Sequence, residues 1–252
     1  MSTATNIPSI QHEPELLGQT VVVIGGSAGI GLETARLARA AGAKLILTGR
    51  NPERLQRAAS ELKALSTAAF DATDPAALER FFRDLPTIDH VMVTAGRPYY
   101  ARLRDMDFAK VRRLVDEHLL LVLQVARNAM DKVRPGGTLI FMGGTGARRP
   151  AIGLSIASAM TAALPALTAS LALEIAPVRV NLVAAGFVDT PLSAELLGDQ
   201  LENRRNQLRT TIPIRRVVGP TDVAALAIHI MTNTALTGAT YDIDGGQQFV
   251  AA

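Results

Sequence analysis

The sequence predicts an α/β fold, a single doubly wound parallel sheet with helices on both faces. Three observations predict it. Short runs rich in β-branched and aliphatic residues, at 21–24, 44–48, 89–94, 138–142 and 178–183, show little polar alternation, as strands buried on both faces do. Between them lie segments with apolar residues at helical spacing. Glycines mark most junctions, so strands and helices alternate throughout. The 252 residues suffice for one large core, and no linker or repeat divides the chain.

Taken in order, residues 1–18 are polar, contain Pro8 and Pro14, and read as a mobile or loosely packed arm before a domain at 19–252. The first strand, TVVVI, runs into Gly25 and Gly26; Gly29 and Gly31 then open a helix carried by Ile30, Leu32, Ala35, Leu37 and Ala38. A strand, a glycine turn and a helix N-terminus form a phosphate receptor. Backbone N–H groups and the helix dipole meet the negative charge, and glycine admits a ligand where a Cβ would block it. With its G-x-x-x-G-x-G spacing, the turn from Gly25 through Ser27 and Ile30 to Gly31 is expected to hold a dinucleotide pyrophosphate. The second strand, 44–48, ends at Gly49-Arg50. An acid there would bind the adenosine ribose hydroxyls, whereas an arginine accommodates a 2′-phosphate, so the expected cofactor is NADP(H).

A helix at 52–65 opens on Pro52, which suits a first turn. Strand three, 67–70, leads to Asp71 and Ala72; the Asp71 carboxylate is placed to accept an adenine amino group. A helix at 75–85, a strand at 89–94 and the turn Ala95-Gly96 follow. One long helix is expected over 107–133, then strand five, Gly143-Gly144-Thr145, and a loop with Arg148, Arg149 and Pro150. A second long helix, 155–176, is rich in Ala and Leu. After strand six come mobile helical segments at 191–209, a helix at 220–232 and a last strand at 240–243.

Composition excludes several function classes. The absence of cysteine removes disulfides, thiolate catalysis and Cys-ligated zinc. There is no H-E-x-x-H, histidine cluster or acidic calcium loop, so no metal site is expected. The net charge of +3 comes from scattered arginines without a basic block, which argues against nucleic acid. No apolar run is expected to reach the ~18 residues of a membrane span, and no signal-peptide pattern opens the chain. A cytoplasmic protein acting on a small-molecule substrate, with no membrane partner, is the expectation.

Over about residues 18–248 the chain resembles the short-chain dehydrogenase/reductase superfamily. Gly25, Gly29 and Gly31 match its T-G-x-x-x-G-x-G turn, with Ile24 in the Thr position, and Asp71 matches its adenine-contacting Asp. Val93-Thr94-Ala95-Gly96 stands where the family has N-N-A-G, and Arg179-Val180-Asn181 matches its R-V-N strand. Ala185-Gly186, Val188 and Thr190 occupy the P-G…T stretch around the nicotinamide carboxamide, without the Pro, and Asp244-Gly245-Gly246 matches its D-G-G. The resemblance implies a Rossmann-like fold, with cofactor contacts at those positions and at Ala95 and Gly96. It also implies a homodimer or homotetramer built through the helices at 107–133 and 155–176.

The family's Asn-Ser-Tyr-Lys tetrad does not carry over. By the register of SLALEIAP, 170–177, the Tyr position is Ala157, the Lys position Thr161 and the Ser position Gly144; the Asn position falls at or near His118. No lysine follows Lys132, and Tyr241 is the only later tyrosine. Losing a positioned acid costs about 10²–10⁴-fold in rate. Hydride transfer to an imine or iminium carbon, which needs no alkoxide protonated, is therefore favoured over ketone reduction. A nucleotide-binding scaffold or sensor and a non-redox catalyst beside a spectator cofactor are the alternatives. Candidate stand-ins are His118, Tyr99, Tyr100 and Thr145. Each has a structural alternative, as a core histidine, lid tyrosines or a loop threonine. Arg148 and Arg149 suit an acidic substrate, a second subunit or plain solvation, and the pocket beside Ala157 and Gly144 should be wide and apolar.

Overall fold

The computed structural model describes residues 15–250. Seven parallel strands are ordered β3-β2-β1-β4-β5-β6-β7. They are β1 Thr20–Ile24, β2 Lys44–Gly49, β3 Ser66–Ala69, β4 Ile88–Val93, β5 Val133–Gly144, β6 Arg179–Ala185 and β7 Thr240–Ile243. The helices are α1 Gly29–Ala40, α2 Pro52–Leu62, α3 Pro75–Asp84, α4 Phe108–Val115, α5 Leu121–Ala129, α6 Ser155–Glu174, α7 Pro191–Leu197, α8 Leu201–Thr211 and α9 Pro220–Thr232. The strand order reverses between β1 and β4, and a crevice opens at the strands' carboxyl ends at such a switch point.

The five central strands, β2, β1, β4, β5 and β6, feed two cores because successive side chains alternate faces. Val22 and Ile24 of β1 pack with Leu78 and Phe82 of α3, with Val122 and Val125 of α5, and with Leu164 and Leu171 of α6. Val21 and Val23 pack with α1, with Leu55 and Leu62 of α2, and with Val223, Ala227 and Ile230 of α9. This two-sided burial is why the strands read as uninterrupted apolar runs.

The structure departs from the sequence expectations at identifiable points. The helix opened by Pro52 stops at Leu62 because Lys63 turns left-handed, at φ 51°. The helix expected over 107–133 is two helices joined by a π turn, Asp116–Leu120, and it ends at Ala129. The arm expected over 1–18 is already packed at its end: Leu16 is fully buried and its N–H donates to Ala41 O at 2.9 Å. Residues 1–14 of that arm lie outside the described residues. Contrary to the expectation of no span-length apolar stretch, α6 is long and apolar enough to cross a membrane by length and composition alone. In the fold α6 is the crossover between β5 and β6 and packs along β6. Arg179 of the R-V-N stretch donates to the carbonyls of Gly136, Ile230, Met231, Asn233 and Leu236, tying α9 to the sheet.

Candidate cofactor and substrate cleft

The glycine turn sits at the carboxyl end of β1. Gly25 has φ +95°, and the N–H groups of Gly25 and Gly26 both donate to Thr48 O, at 3.1 and 2.9 Å. A Cβ on Gly31 would lie 2.3 Å from Gly25 O, so only glycine lets α1 enter this close to the strand. The helix N-termini differ in an informative way. Asn51, Asp74, Asp107 and Thr190 cap α2, α3, α4 and α7 with side-chain oxygens, whereas α1, like α6 and α8, has no side-chain cap, its N-cap being Ala28 at the end of the glycine turn. The first-turn amides of α1 are left for an outside acceptor, and a pyrophosphate fits that need.

The other cofactor positions line up along the same strand ends. The Ser27 hydroxyl lies 3.0 Å from where a Gly49 Cβ would stand, and Arg50 beyond it is exposed, without an ion-pair partner among the described residues. Ala72 is buried. The Asp71 carboxylate accepts from the Thr73 N–H at 3.0 Å, the Thr73 hydroxyl at 2.8 Å and Arg113 Nη2 at 3.0 Å. Burial pushes its pKa up, but those hydrogen bonds and the Arg113 charge prevail and hold it below the ordinary value. Thr94 Oγ1 donates to the carbonyls of Ile24 and Gly25, fastening β4 to the turn, and the Ala95 N–H donates to Ile24 O. Gly186 leaves no room for a Cβ, which would lie 2.6 Å from that of Asp244. Val188 is buried and pairs with Val218, and Thr190 caps α7.

Beyond the turn lies a cavity of about 1060 Å³. Its wall includes Ile30, Ala95, Gly96, Gly186, Val188 and Thr190 of the expected cofactor residues, and all four candidates, His118, Tyr99, Tyr100 and Thr145. Gly25, Ser27, Gly29, Gly31, Arg50, Asp71 and Ala72 stand outside that wall, toward β1–β3. Gly144, Ala157 and Thr161 share one side of the cavity, and a Cβ on Gly144 would lie 3.3 Å from Thr161 Cγ2.

The family model for enoyl-(acyl carrier protein) reductase matches residues 25–248. The chain belongs to the short-chain dehydrogenase/reductase superfamily. It is an oxidoreductase of that superfamily, whose members bind a nicotinamide cofactor. The short-chain dehydrogenase/reductase ATR9 of Stachybotrys chlorohalonatus is 28% identical over 252 residues, covering 92% of this chain and 98% of its own. The structure of the MalC reductase/Diels-Alderase of Malbranchea aurantiaca superposes with a TM-score of 0.86 at 26% identity, over 93% of this chain and 98% of MalC. BdcA, solved in complex with NADPH, superposes with a TM-score of 0.83 at 25% identity, over 92% and 95% of the two chains.

Within this short-chain dehydrogenase/reductase, the hydroxyls on α6 around Ala157 are already committed within the fold. The Thr161 hydroxyl is shared between the carbonyls of Ala157 and Ser158, both at 3.1 Å, and the Ser158 hydroxyl donates to Gly146 O. His118 lies on the π turn, a deviation that recurs at functional sites. Its Nε2 donates to Arg97 O at 3.2 Å, which puts the proton there and leaves Nδ1 an acceptor. Burial lowers its pKa below the usual value, outweighing Glu117 and the carbonyl. His118 is thus a neutral acceptor near pH 7 rather than an acid. The Tyr99 hydroxyl oxygen accepts from the Asp107 N–H at 2.8 Å, and Lys110 Nζ lies 5.9 Å from its ring centre. Tyr100 is 56% exposed. Thr145 is buried, and its hydroxyl has no hydrogen-bond partner among the described residues.

Several wall residues were not legible as site residues. Glu117 is buried and accepts from the Arg97 N–H and Arg113 Nε, both at 2.8 Å, anchoring the π turn. Gln247, just beyond D-G-G, accepts from the Phe187 N–H at 2.8 Å and fixes the loop after β6. Arg204 of α8 joins the wall from the segment expected to be mobile.

Proposed function

We propose that this oxidoreductase binds NADP(H) and reduces an imine or iminium carbon of a small organic substrate. The amides of Gly29, Ile30 and Gly31 hold the pyrophosphate beside Gly25 and Ser27, Arg50 meets the 2′-phosphate, and Asp71 meets the adenine. Gly186, Val188 and Thr190 border the nicotinamide. The NADPH complex of BdcA supports the cofactor choice, as does the Gly49-Arg50 pair at the end of β2. When bound, NADPH would supply a hydride for the new C–H bond; the acceptor is the iminium form, a cyclic imine already protonated in solution, so the C=N electron pair moves onto nitrogen and leaves a neutral amine with no proton required from the protein. The protein's own part is to orient and desolvate the substrate against an apolar wall.

One observation carries the substrate choice. The tetrad side of the cavity presents Gly144, Ala157 and a back-bonded Thr161 hydroxyl, with His118 as an acceptor opposite. An alkoxide would find no positioned acid there, and an iminium needs none. The test is to follow loss of reduced-nicotinamide absorbance with matched ketones and preformed cyclic imines. Imine turnover with negligible ketone turnover is expected; brisk ketone reduction overturns the reading.

The same reading includes a homodimer or homotetramer. Leu123 and Met130 at α5, and Leu173 on α6, are exposed apolar side chains on the long helices, and a second copy would cover them. Light scattering at micromolar concentration checks it. A second reading, a non-redox ring-forming catalyst, is favoured by the likeness to MalC, a reductase/Diels-Alderase. Product formation with NADPH present and undiminished would select it.

A further inference from the structure

We infer that the cavity recognises a substrate with an apolar body and an anionic head, a carboxylate or a phosphate, gripped between Arg149 and Arg204. The inference rests on the reading that this cavity receives the substrate. Arg149 follows the 3-10 turn Gly146–Arg148 after β5, and Arg204 reaches in from α8. Both side chains are half-buried and both line the cavity.

The neighbouring arginines make the contrast. Arg148 pairs with Asp242, Arg205 takes Asp189 in two hydrogen bonds of 2.9 and 2.7 Å, and Arg209 pairs with Glu202 at 2.8 Å. The Arg149 guanidinium has no hydrogen bond or ion pair among the described residues, and the polar side-chain partner of Arg204 is the neutral Gln207 amide at 2.7 Å. Among the described residues Glu117 is the one carboxylate in the cavity wall, and its oxygens are taken by the Arg97 N–H and by Arg113. Two positive charges therefore face one cavity in which no described carboxylate is free to balance them.

They also feel each other. Burial first, and then the Arg149 charge, pull the Arg204 guanidinium below its ordinary pKa. Arg204 is held in place by stacking on Phe187, its guanidinium carbon 6.0 Å from the ring centre. A guanidinium fork binds carboxylate or phosphate in two parallel hydrogen bonds, and an anion between the two relieves their repulsion. Leu154, Met160 and Leu192 supply the apolar surface for the rest of the molecule.

The experiment is calorimetric titration of the full chain, without cofactor and with NADP⁺, against 3-phenylpropanoate, phenyl phosphate and the neutral 3-phenylpropanamide. The better acid should bind about tenfold or more tighter than the amide, and salt should shrink the gap. The tighter of the two acids identifies the head group. Arg149→Ala and Arg204→Ala should each erase the preference while NADPH affinity stays at the wild-type value; Arg209→Ala should change neither. Equal binding of acid and amide, no saturable binding of either acid, or a preference that survives in both arginine variants overturns the inference. Loss of NADPH binding in those variants also overturns it, because the pair would then serve the cofactor's phosphates. Failure of the wild type to bind NADPH counts against the proposed function instead, and the cofactor-free titration then decides the anion site alone.

Discussion

The two ends of the cleft are built from different materials. Around β1–β3 the determinants are backbone: a left-handed Gly25, a Gly31 packed against Gly25 O, and a helix without a side-chain cap. Around β5 and α6 the family's determinants are side chains; Gly144, Ala157 and Thr161 line the cavity there, and by the register on which the proposed function rests they stand in those places. A backbone receptor is written into the packing of the sheet itself, so changing it disturbs the fold. A side-chain acid hangs from a finished scaffold and can be exchanged for alanine with the strand and helix intact. The first end thus keeps its cofactor geometry while the second is open to other chemistry.

The comparison breaks most visibly if the second end can be rebuilt. Ala157→Tyr with Thr161→Lys should raise ketone reduction by about 10²–10⁴-fold, the worth of a positioned acid, measured as NADPH oxidation with a simple ketone. No gain would mean the α6 scaffold has lost the geometry along with the side chains. The complementary change attacks the first end. Gly31→Val forces a Cβ to within 2.3 Å of Gly25 O, so NADPH binding should vanish and denaturant unfolding should show a loss of about 3 kcal/mol or more.

A titration at the opposite end of the sheet separates fold stability from either site. His90 on β4 is held by Gln19 through Nε2 at 2.6 Å, and its Nδ1 is buried without a partner. Burial, reinforced by Arg179, lowers its pKa to about 4. The unfolded chain therefore takes up this proton near pH 6.5 and the folded chain does not until about pH 4. The contribution of His90 is complete above about pH 6.5 and shrinks as pH falls toward 4, by about 3 kcal/mol in all. Denaturant unfolding across that window should show the slope, and His90→Gln should flatten it. The smallest effect is at Arg50. Arg50→Ala should weaken NADPH by about tenfold, the scale of an exposed charged contact to phosphate, with NADH affinity unchanged in fluorescence titrations. Equal wild-type affinities for the two cofactors would remove Arg50 from the site.

Each strand and the glycine turn are set by residues adjacent in the chain, which explains why the β-runs and the Gly25–Gly31 turn were legible from the amino-acid order, while the strand order was not. The π turn was not. LVDEHLLLVLQVA has an unbroken apolar periodicity, and only the capture of Glu117 by Arg97 and Arg113 marks the place where the helix widens. Arg204 was hidden for the opposite reason. LENRRNQLRTT has the composition of a solvated helix, and its inward-facing arginine is distinguished only by Phe187, which comes from another element.

What the sequence by itself determined is the local grammar: buried strands, a glycine turn that opens a helix, and the absence of any lysine after Lys132. Each of these depends on residues close in the chain, or on the plain absence of a chemical group. What only the tertiary structure decided is which remaining groups are free to act. Thr161 is spent on its own helix, His118 is turned into an acceptor by Arg97 O, and Thr145 keeps an unpartnered hydroxyl. Arg149 and Arg204 meet across a cavity although 55 positions separate them, 204 less 149. Hydrogen-bond commitment and charge balance are set by partners distant in sequence, and no local pattern records them.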